Sequence, residues 1–302
     1  MNRKDFLSLS TKAAVFLGLS TAISCKEETL EKTNNLLDKT SKGTAFGLKA
    51  PKIDNVRVGI IGAGNRGQTL IQMFDWLVKN NNATIVAIGD LKKEKTDKLN
   101  AHLKKTQNTT ADAYFGNPDA WKKIADRDDI DLLIIATPWE MHTEMCLYGM
   151  EKGKHVASEV PIGYTLEDCW KLVETAERTQ KHCMMMENCC FNNEELWVLN
   201  MINQGVFGDL THAEGAYIHD LRKHLLDETY YEDQWRIKHH LKKDGNFYTT
   251  HGLGPISQYM DIGRGDTFDH LVSMSSREKG LSDAAKRAGI DKFSKVKCGD
   301  MN

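Results

Sequence analysis

Tyr248 and His251 carry acid–base side chains and stand three positions apart in the C-terminal part of the chain. A neutral imidazole can give or take a proton near neutral pH, and a phenol can stabilise an oxyanion. At this spacing both side chains can face one cavity from a helix start or a turn, and Gly252 and Gly254 permit close backbone approach. The pair therefore indicates general acid–base chemistry, although a histidine beside glycines is more often a structural residue.

A glycine-rich loop, GAGNRG, precedes these residues by almost two hundred positions and follows the apolar run from Val56 to Ile61. Apolar residues then recur at helical spacing, so the pattern predicts a strand, a turn and a helix. In that setting Gly62 permits the tight turn, Gly64 lets the backbone approach a pyrophosphate, and Gly67 lets the helix pack on the strand. The loop therefore predicts a dinucleotide-binding site.

Asp90 ends the next predicted strand, ATIVAIGD, 23 residues after Gly67. A carboxylate there accepts hydrogen bonds from the adenosine ribose and repels a 2′-phosphate, which favours NAD over NADP. Two further strands, in IDLLIIATP and KHVASEVP, flank a helix that starts near His142. We therefore expect an α/β fold with a parallel sheet. A capping box at Thr165 starts another helix, whose apolar stripe is predicted to include Leu166, Cys169, Trp170 and Val173.

The overall composition excludes several classes of partner. Forty basic residues stand against 42 acidic ones among 302, a formal charge of −2, so we expect no nucleic-acid partner. The seven cysteines lack paired spacing, and the eleven histidines form no HExxH motif, so we predict neither a disulfide framework nor a metal site. A homo-oligomer stays an open alternative, because sheets of this kind often pair.

Residues 1–25 have the layout of a secretory signal, with Arg3 and Lys4 at the start, an apolar middle and small residues before Cys25. The segment AISC resembles a bacterial lipobox, which implies a lipid anchor on Cys25. The Arg-Lys pair also resembles a degenerate twin-arginine signal, and an ordinary Sec signal is the alternative. We therefore predict an exported, periplasmic or cell-envelope lipoprotein of a bacterium, with residues 26–54 as a solvated linker.

Residues 56 to 161 resemble the Gfo/Idh/MocA oxidoreductase superfamily through GAGNRG, ATPWEMH and GKHVASEVP. Those enzymes usually carry Glu-Lys-Pro in the last motif, where the lysine assists proton transfer. Here the position is Val160, which cannot relay a proton. Together with MMMEN, EGAYIHDLR, QWR and YTTHGLGPISQYMDIGRGD, the Glu-Val-Pro motif resembles glycoside hydrolase family 109.

This resemblance implies a set of site residues. Those implied around NAD, besides the glycines, are Asn65, Arg66, Asp90, Trp139, His142, Glu159, Val160, Asn188 and Arg236. Those implied around the sugar are Tyr217, Tyr248 and His251. Glu159, at the end of a predicted strand, is also a candidate to bind a sugar hydroxyl, and we place it with Tyr248 and His251 as a catalytic candidate. His219 and His224 are expected to be structural.

The activity implied by the resemblance is NAD-dependent hydrolysis of terminal α-N-acetylgalactosamine on a small-molecule or glycan substrate. Transient oxidation at C3 acidifies the C2 proton, elimination expels the C1 substituent, water adds, and the hydride returns, so no pair of flanking carboxylates is required. Two alternatives stay open: an NAD-dependent sugar dehydrogenase, and an inactive protein that binds NAD or sugar.

The predicted domains are the Rossmann NAD-binding domain at 55–178 and a substrate-binding α+β domain at 179–302. We expect the second domain to contain an open mixed sheet with strands around 181–188, 209–218 and 269–276. Family members continue past the last residue, so this domain is expected to be truncated. After Asn188 the family often has a hydroxyl-bearing aromatic, whereas this chain has Cys189, Cys190 and Phe191.

Overall fold

The computed structural model describes residues 43–298 of the chain. The predicted signal peptide, the lipid anchor at Cys25 and most of the linker lie outside the described residues, so these stay predictions. Within residues 43–298, none of the helices has the length and apolar character needed to cross a bilayer.

A six-stranded parallel sheet forms the N-terminal half, in the order β3-β2-β1-β4-β5-β6. The strands are β1 Val56–Ile61, β2 Ala83–Gly89, β3 Asp112–Tyr114, β4 Leu132–Ile135, β5 His155–Ser158 and β6 Cys183–Met185. This is the strand order of the doubly wound Rossmann fold, with its reversal between β1 and β4. The predicted α/β fold with an N-terminal Rossmann domain is therefore confirmed.

Five helices cover the two faces of the sheet: α1 Asn65–Lys79, α2 Lys93–Thr106, α3 Ala120–Ala125, α4 His142–Glu151 and α5 Leu166–Thr179. On one face, Ile71 of α1 and Leu99 of α2 belong to the same buried cluster as the strand residue Ile85. On the other face, Ile124 of α3 and Met150 of α4 pack in a second buried cluster. Both faces of the strands are thus removed from water, as their continuous apolar sequence requires.

The glycine loop joins β1 to α1 through two close contacts. Gly62 has a φ of +95°, and a Cβ atom there would lie 2.5 Å from the backbone oxygen of Ala136. A Cβ atom on Gly67 would lie 1.9 Å from the backbone oxygen of Gly62. Gly64 is different, because its Cβ position has only the Lys95 Nζ atom within reach, at 3.7 Å. Two of the three glycines are therefore required by packing, and the third leaves space above the loop.

The helix α5 begins where the sequence predicts. Thr165 accepts a hydrogen bond from the backbone N–H of Asp168, whose side chain completes the capping box. Its predicted buried stripe is wrong, however, because Leu166 is 64% exposed and Val173 is 42% exposed. The buried residues are instead Leu172, Thr175 and Ala176. Leu172 and Ala176 belong to the same buried cluster as Met145 and Met150 of α4, so packing against α4 decides which face is buried.

Beyond β6 the elements of the described residues are helices, and these residues contain no second sheet. The helices are α6 Asn193–Asn203, α7 Arg222–Leu226, α8 Trp235–Lys242, α9 Thr249–Tyr259 and α10 Gly280–Arg287. Leu225, Ile237 and Leu281 form a small core where α7, α8 and α10 meet. The Rossmann sheet is therefore accompanied by a helical layer.

Two of the expected second-domain strands do not form, and the third belongs elsewhere. The strand expected at 181–188 is β6, which pairs in parallel with β5 and so extends the first sheet. Segments 209–218 and 269–276 form no strand in the described structure, and Leu271 and Met274 are 81% and 93% exposed. A strand needs a neighbour to satisfy its backbone hydrogen bonds, and these segments find none in the described range. The division into domains at residue 178 stays a prediction.

Substitution of the loop glycines tests this packing. We expect Gly67→Ala to lower the free energy of unfolding by about 3 kcal/mol, because the new methyl group collides with a backbone oxygen and displaces α1. Gly64→Ala provides the matched control and should change it by less than about 0.5 kcal/mol. Urea unfolding followed by far-ultraviolet circular dichroism measures both values. Equal losses in the two variants would contradict this account of the loop.

Candidate active site

The carboxyl ends of the parallel strands bring the predicted site residues to one edge of the sheet. The glycine loop follows β1, Asp90 follows β2, Trp139 lies just beyond β4, and Glu159 follows β5. Glu187, two residues after β6, joins them. Ligands of open α/β sheets bind at this edge, so the sequence positions agree with a single site.

Asp90 connects the loops after β1 and β2. Its Oδ2 atom accepts a hydrogen bond from the backbone N–H of Ala63 at 2.8 Å, and its Oδ1 atom accepts one from the N–H of Lys92 at 3.0 Å. A carboxylate has about four acceptor positions, so these bonds leave capacity for a ribose. Asp90 is therefore held beside the glycine loop, at the position where the sequence predicts ribose binding.

A segment of the helical layer reaches the glycine loop from the other side. The side-chain amide of Asn65 donates to the backbone oxygen of Tyr230 at 3.3 Å. Glu232 forms ion pairs with Lys95 at 2.6 Å and with Lys92 at 3.3 Å. The Lys95 ammonium group is consequently fixed near Gly64, where positive charge favours a phosphate.

Glu159 and Arg66 form an ion pair across the edge, with 2.6 Å between Arg66 Nε and Glu159 Oε1. Glu159 is 9% exposed as a residue. Its carboxylate is thus oriented by an arginine in the first turn of α1, and Arg66 and Glu159 lie together as the sequence implied.

His142 is brought to the site edge but is fully enclosed, with no exposed surface. Its Nδ1 atom lies 2.8 Å from the backbone oxygen of Pro161 and its Nε2 atom 2.7 Å from that of Thr137. Burial lowers its pKa, and the two carbonyl contacts oppose that shift. Both ring nitrogens are occupied, so His142 joins the loops after β4 and β5 and positions them.

Trp139 and Val160 form the apolar wall of the site together with Tyr248. The buried guanidinium group of Arg236 lies 4.6 Å from the ring centre of Tyr248 and 5.4 Å from that of Trp139. It also donates to the hydroxyl of Tyr231 at 2.7 Å. Aromatic faces and a phenol oxygen thus stabilise a cation inside this wall.

The three residues implied around the sugar lie in contact with one another. The rings of Tyr248 and His251 stack with 5.0 Å between their centres and 2° between their planes. Tyr217 meets His251 edge to face at 4.4 Å, and it meets Tyr248 at 6.0 Å. His219, expected to be structural, also contacts Tyr217 at 4.5 Å.

A close backbone approach explains how Tyr217 reaches α9. A Cβ atom on Gly215 would lie 2.7 Å from the backbone oxygen of Gly252. Only glycine permits this distance, so the extended segment that carries Tyr217 and His219 lies directly on the start of α9.

Glu187 is the site residue that sequence reasoning missed. Its Oε1 atom lies 2.5 Å from Nδ1 of His251, and both side chains are buried. Burial acts to raise the pKa of Glu187, but hydrogen bonding, foremost from His251, outweighs it and lowers the pKa overall. Glu187 is therefore a carboxylate that orients the imidazole. Its only sequence signal is an acidic residue at the end of an apolar strand, within the MMMEN motif.

Asn188, the residue of that motif implied at the cofactor, is exposed. Its side-chain amide lies 3.7 Å from Cys189 Sγ. Burial raises the pKa of the Cys189 thiol to about 11, with Glu187 adding to the shift. The thiol is thus protonated near neutral pH. Phe191, where the family often has a hydroxyl-bearing aromatic, is 51% exposed.

Two family models match consecutive parts of the chain. The oxidoreductase family with an NAD-binding Rossmann fold matches residues 56–187, and the C-terminal domain of glycosyl hydrolase 109 matches residues 191–301. Together the two matches run almost without a gap from residue 56 to residue 301, so the chain is similar to glycosyl hydrolase family 109 over this range. Its N-terminal part is a Rossmann domain of the kind that binds a nicotinamide dinucleotide.

Relatives from Shewanella support the same assignment. A glycosyl hydrolase family 109 protein of Shewanella putrefaciens is 45% identical over 289 residues, which are 95% of this chain and 61% of the relative. A protein of Shewanella oneidensis named alpha-N-acetylgalactosaminidase is 44% identical over 288 residues, with the same shares. The chain thus spans 61% of the length of these relatives. A solved NAD binding oxidoreductase from Klebsiella pneumoniae has a similar fold, with a TM-score of 0.50, 16% identity and coverage of 68% of this chain and 53% of that one.

The protonation state of Tyr248 provides a test of this site. Burial raises the pKa of Tyr248 to about 12, against an ordinary value of 10.0, and the nearby Arg236 only partly opposes it. Because the folded-state pKa is the higher one, the associated stability is fully present below pH 10 and is lost as the pH rises towards 12. We expect a loss of about 2 kcal/mol between these pH values.

Urea unfolding at several alkaline pH values measures this loss. The stability difference between the wild type and Tyr248→Phe should shrink across the interval. Tyr230→Phe, at a ring that is 42% exposed, is the matched control. A constant difference between wild type and Tyr248→Phe would show that the phenol is not held in its neutral form.

Proposed function

We propose that this protein is an NAD-dependent glycosidase that hydrolyses terminal α-N-acetylgalactosamine. The observation that carries the proposal is the buried Glu187–His251 pair stacked against Tyr248, beside the edge that holds the glycine loop. The name of the Shewanella oneidensis relative supports the choice of sugar. A buried, oriented imidazole next to a neutral phenol suits proton removal from carbon with stabilisation of the resulting oxyanion.

The glycine loop fits a dinucleotide. Gly64 leaves open space where a Cβ atom would otherwise point, and the Lys95 ammonium group lies at its border. The N-terminus of α1 follows directly, so backbone N–H groups and a cation converge there, as a pyrophosphate requires. We infer that Asp90 accepts hydrogen bonds from the ribose hydroxyls and repels a 2′-phosphate, which favours NAD over NADP.

Arg66, Glu159, Trp139 and Arg236 extend from this loop towards Tyr248. When bound, NAD supplies a reversible hydride acceptor for C3 of the sugar. Val160 is 6% exposed and packs with Trp139 and Tyr248. An aliphatic side chain cannot carry a proton, so proton transfer falls to Tyr248 and His251.

His251 is the proposed base. Glu187 accepts a hydrogen bond from the N–H at Nδ1, which leaves the lone pair on Nε2 to accept a proton from substrate. The carboxylate also stabilises the imidazolium that forms, as the third member of a hydrolase triad does. Glu187 is therefore a positioning residue for His251.

Tyr248 is the proposed hydrogen-bond donor. Its pKa of about 12 keeps the phenol protonated across the neutral range. A neutral donor can stabilise the enolate oxygen that develops when a proton leaves the neighbouring carbon. Tyr217, in contact with both rings, is positioned to bind the sugar face.

Cofactor binding provides a direct test of the loop. Gly64→Ala keeps the packing of α1 but places a methyl group in the space above the loop. We expect the dissociation constant of NAD to rise at least about tenfold, because the pyrophosphate can no longer approach the backbone. Tryptophan fluorescence quenching on titration with NAD measures the constant. Gly280→Ala is the control, because its Cβ position meets only side-chain atoms of Arg222 at 3.7 Å and beyond. An unchanged constant in Gly64→Ala would contradict the proposed phosphate position.

The reaction itself is tested with an aryl α-N-acetylgalactosaminide in deuterated water. We expect phenol release, incorporation of deuterium at C2 of the product and no accumulation of NADH. His251→Gln should lower the rate of release by about 10²- to 10⁴-fold, the usual contribution of a general base. NMR follows the deuterium, and absorbance follows phenol and NADH.

His270 provides the matched control, because His270→Gln removes an imidazole that is 78% exposed and whose only ion-pair contact in the described part of the chain is with the neighbouring Asp269. Stoichiometric NADH without phenol release would identify a sugar dehydrogenase instead. Binding of NAD by a folded protein that gives neither product nor exchange would overturn the glycosidase proposal and favour a binding protein.

A further inference from the structure

The Glu187–His251 pair is part of a group of side chains that can bind a metal ion. Glu187, Cys189 and His251 offer a carboxylate oxygen, a sulfur and an imidazole nitrogen, and these three atoms lie within 4.8 Å of one another. No local motif marks this set, because the histidine follows the other two residues by more than sixty positions. The sequence therefore predicted no metal site.

We propose that Glu187, Cys189 and His251 form a binding site for Zn²⁺ or a cation of similar softness. Thiolate, imidazole and carboxylate together select zinc-like ions over Mg²⁺ and Ca²⁺, which prefer oxygen ligands. Three protein ligands leave one tetrahedral position for water. The site differs from the NAD site, whose phosphate-binding loop follows β1.

The distances fit such an ion. Zinc bonds of about 2.0–2.3 Å place neighbouring tetrahedral ligands about 3.3–3.7 Å apart. Donors that already lie within 4.8 Å reach that arrangement by small side-chain rotations. The present 2.5 Å contact between Glu187 Oε1 and His251 Nδ1 is replaced when the ion enters between them.

Glu187 provides an independent indication of a ligand. It is 3% exposed, and its buried Oε2 atom makes no hydrogen bond of good geometry among the residues that the structure describes. The Thr250 hydroxyl lies near enough to the carboxylate to lower its pKa, but it is a neutral donor. A buried carboxylate oxygen without a well-placed donor is costly, and a cation would satisfy it. The other oxygen accepts from the backbone N–H of Cys189 at 3.1 Å, which fixes the cysteine close to the carboxylate.

The protons that Zn²⁺ displaces when it binds determine how the ion affects the proposed activity. The Cys189 thiol loses its proton to solvent, and the proton of His251 Nδ1 moves to Nε2 while Nδ1 coordinates the ion. His251 then has no lone pair for a substrate. Bound Zn²⁺ should therefore inhibit the proposed glycosidase, and only this consequence rests on the proposed function.

Cobalt substitution tests the site without any assay of activity. One equivalent of Co²⁺ added to the full chain should produce thiolate-to-cobalt charge-transfer absorption, and competing Zn²⁺ should abolish it. Mg²⁺ should have no effect. Cys189→Ser should remove the charge-transfer band and weaken Zn²⁺ binding by at least about 10- to 100-fold, the range that loss of even an outer-shell partner gives.

Cys190→Ser is the matched control, because Cys190 is the adjacent cysteine and is not one of the three ligands. It should retain the cobalt spectrum and the zinc affinity of the wild type. Glu187→Gln should weaken Zn²⁺ binding without removing the charge-transfer band. An identical cobalt spectrum in the wild type and in Cys189→Ser, or no stoichiometric binding by the folded wild type, would overturn the proposal.

Enzymatic measurements separate the two proposals. If the glycosidase is active, Zn²⁺ should inhibit the wild type and Cys190→Ser more strongly than Cys189→Ser, and chelation should restore activity. A cobalt spectrum in a protein without glycosidase activity would support the metal site and contradict only the function. Inhibition of equal strength in all three proteins would overturn the assignment of the inhibitory ion to this site.

Discussion

The parallel direction of six strands is the constraint on which the site depends. Because every strand runs the same way, the loops after β1, β2, β4, β5 and β6 end at one edge, and each contributes polar groups there. The pairing of β6 with β5 sets Ser158 opposite Met185, so Glu187 follows next to the loop that carries Glu159. The helical layer then needs only a few contacts to complete the site, through Tyr217, Arg236 and the first turns of α9.

Neighbouring groups offset the free-energy cost of burying charged side chains at this edge. An isolated carboxylate at the depth of Glu187 would be neutralised by protonation, but the imidazole and a backbone N–H stabilise its charged form. Arg236 is 5% exposed and is surrounded by the faces of Trp139, Tyr231 and Tyr248, whose quadrupoles replace part of its lost hydration. Charged groups therefore remain inside the site without making it polar throughout.

Sequence patterns predicted those parts of the fold that are determined by interactions between residues close together in the chain. The β1 run, the glycine turn and the Thr165 capping box are each specified within a few residues, and all three form as expected. A strand depends on a partner that is distant in the sequence. The residues of segments 209–218 and 269–276 alone could therefore not decide whether these segments pair. Glu187 was missed for the same reason, since its role comes from a histidine 64 positions away. The three-residue spacing predicted that Tyr248 and His251 can face one cavity, whereas the place of Tyr217 beside them was implied only by resemblance to the family.

Val160 links the apolar character of the wall to the acid–base properties of the site. It packs with Trp139 against Tyr248, and loss of hydration is the main reason that the pKa of Tyr248 lies near 12. A lysine at this position, as in the Glu-Lys-Pro motif of the wider superfamily, would bring a cation close to the phenol and favour its ionised form. Valine removes that influence and leaves Tyr248 as a neutral donor. With valine at this position, His251, held by Glu187, is the basic side chain that contacts Tyr248. One apolar residue thus bears on both of the proton-transfer roles proposed for the neighbouring rings.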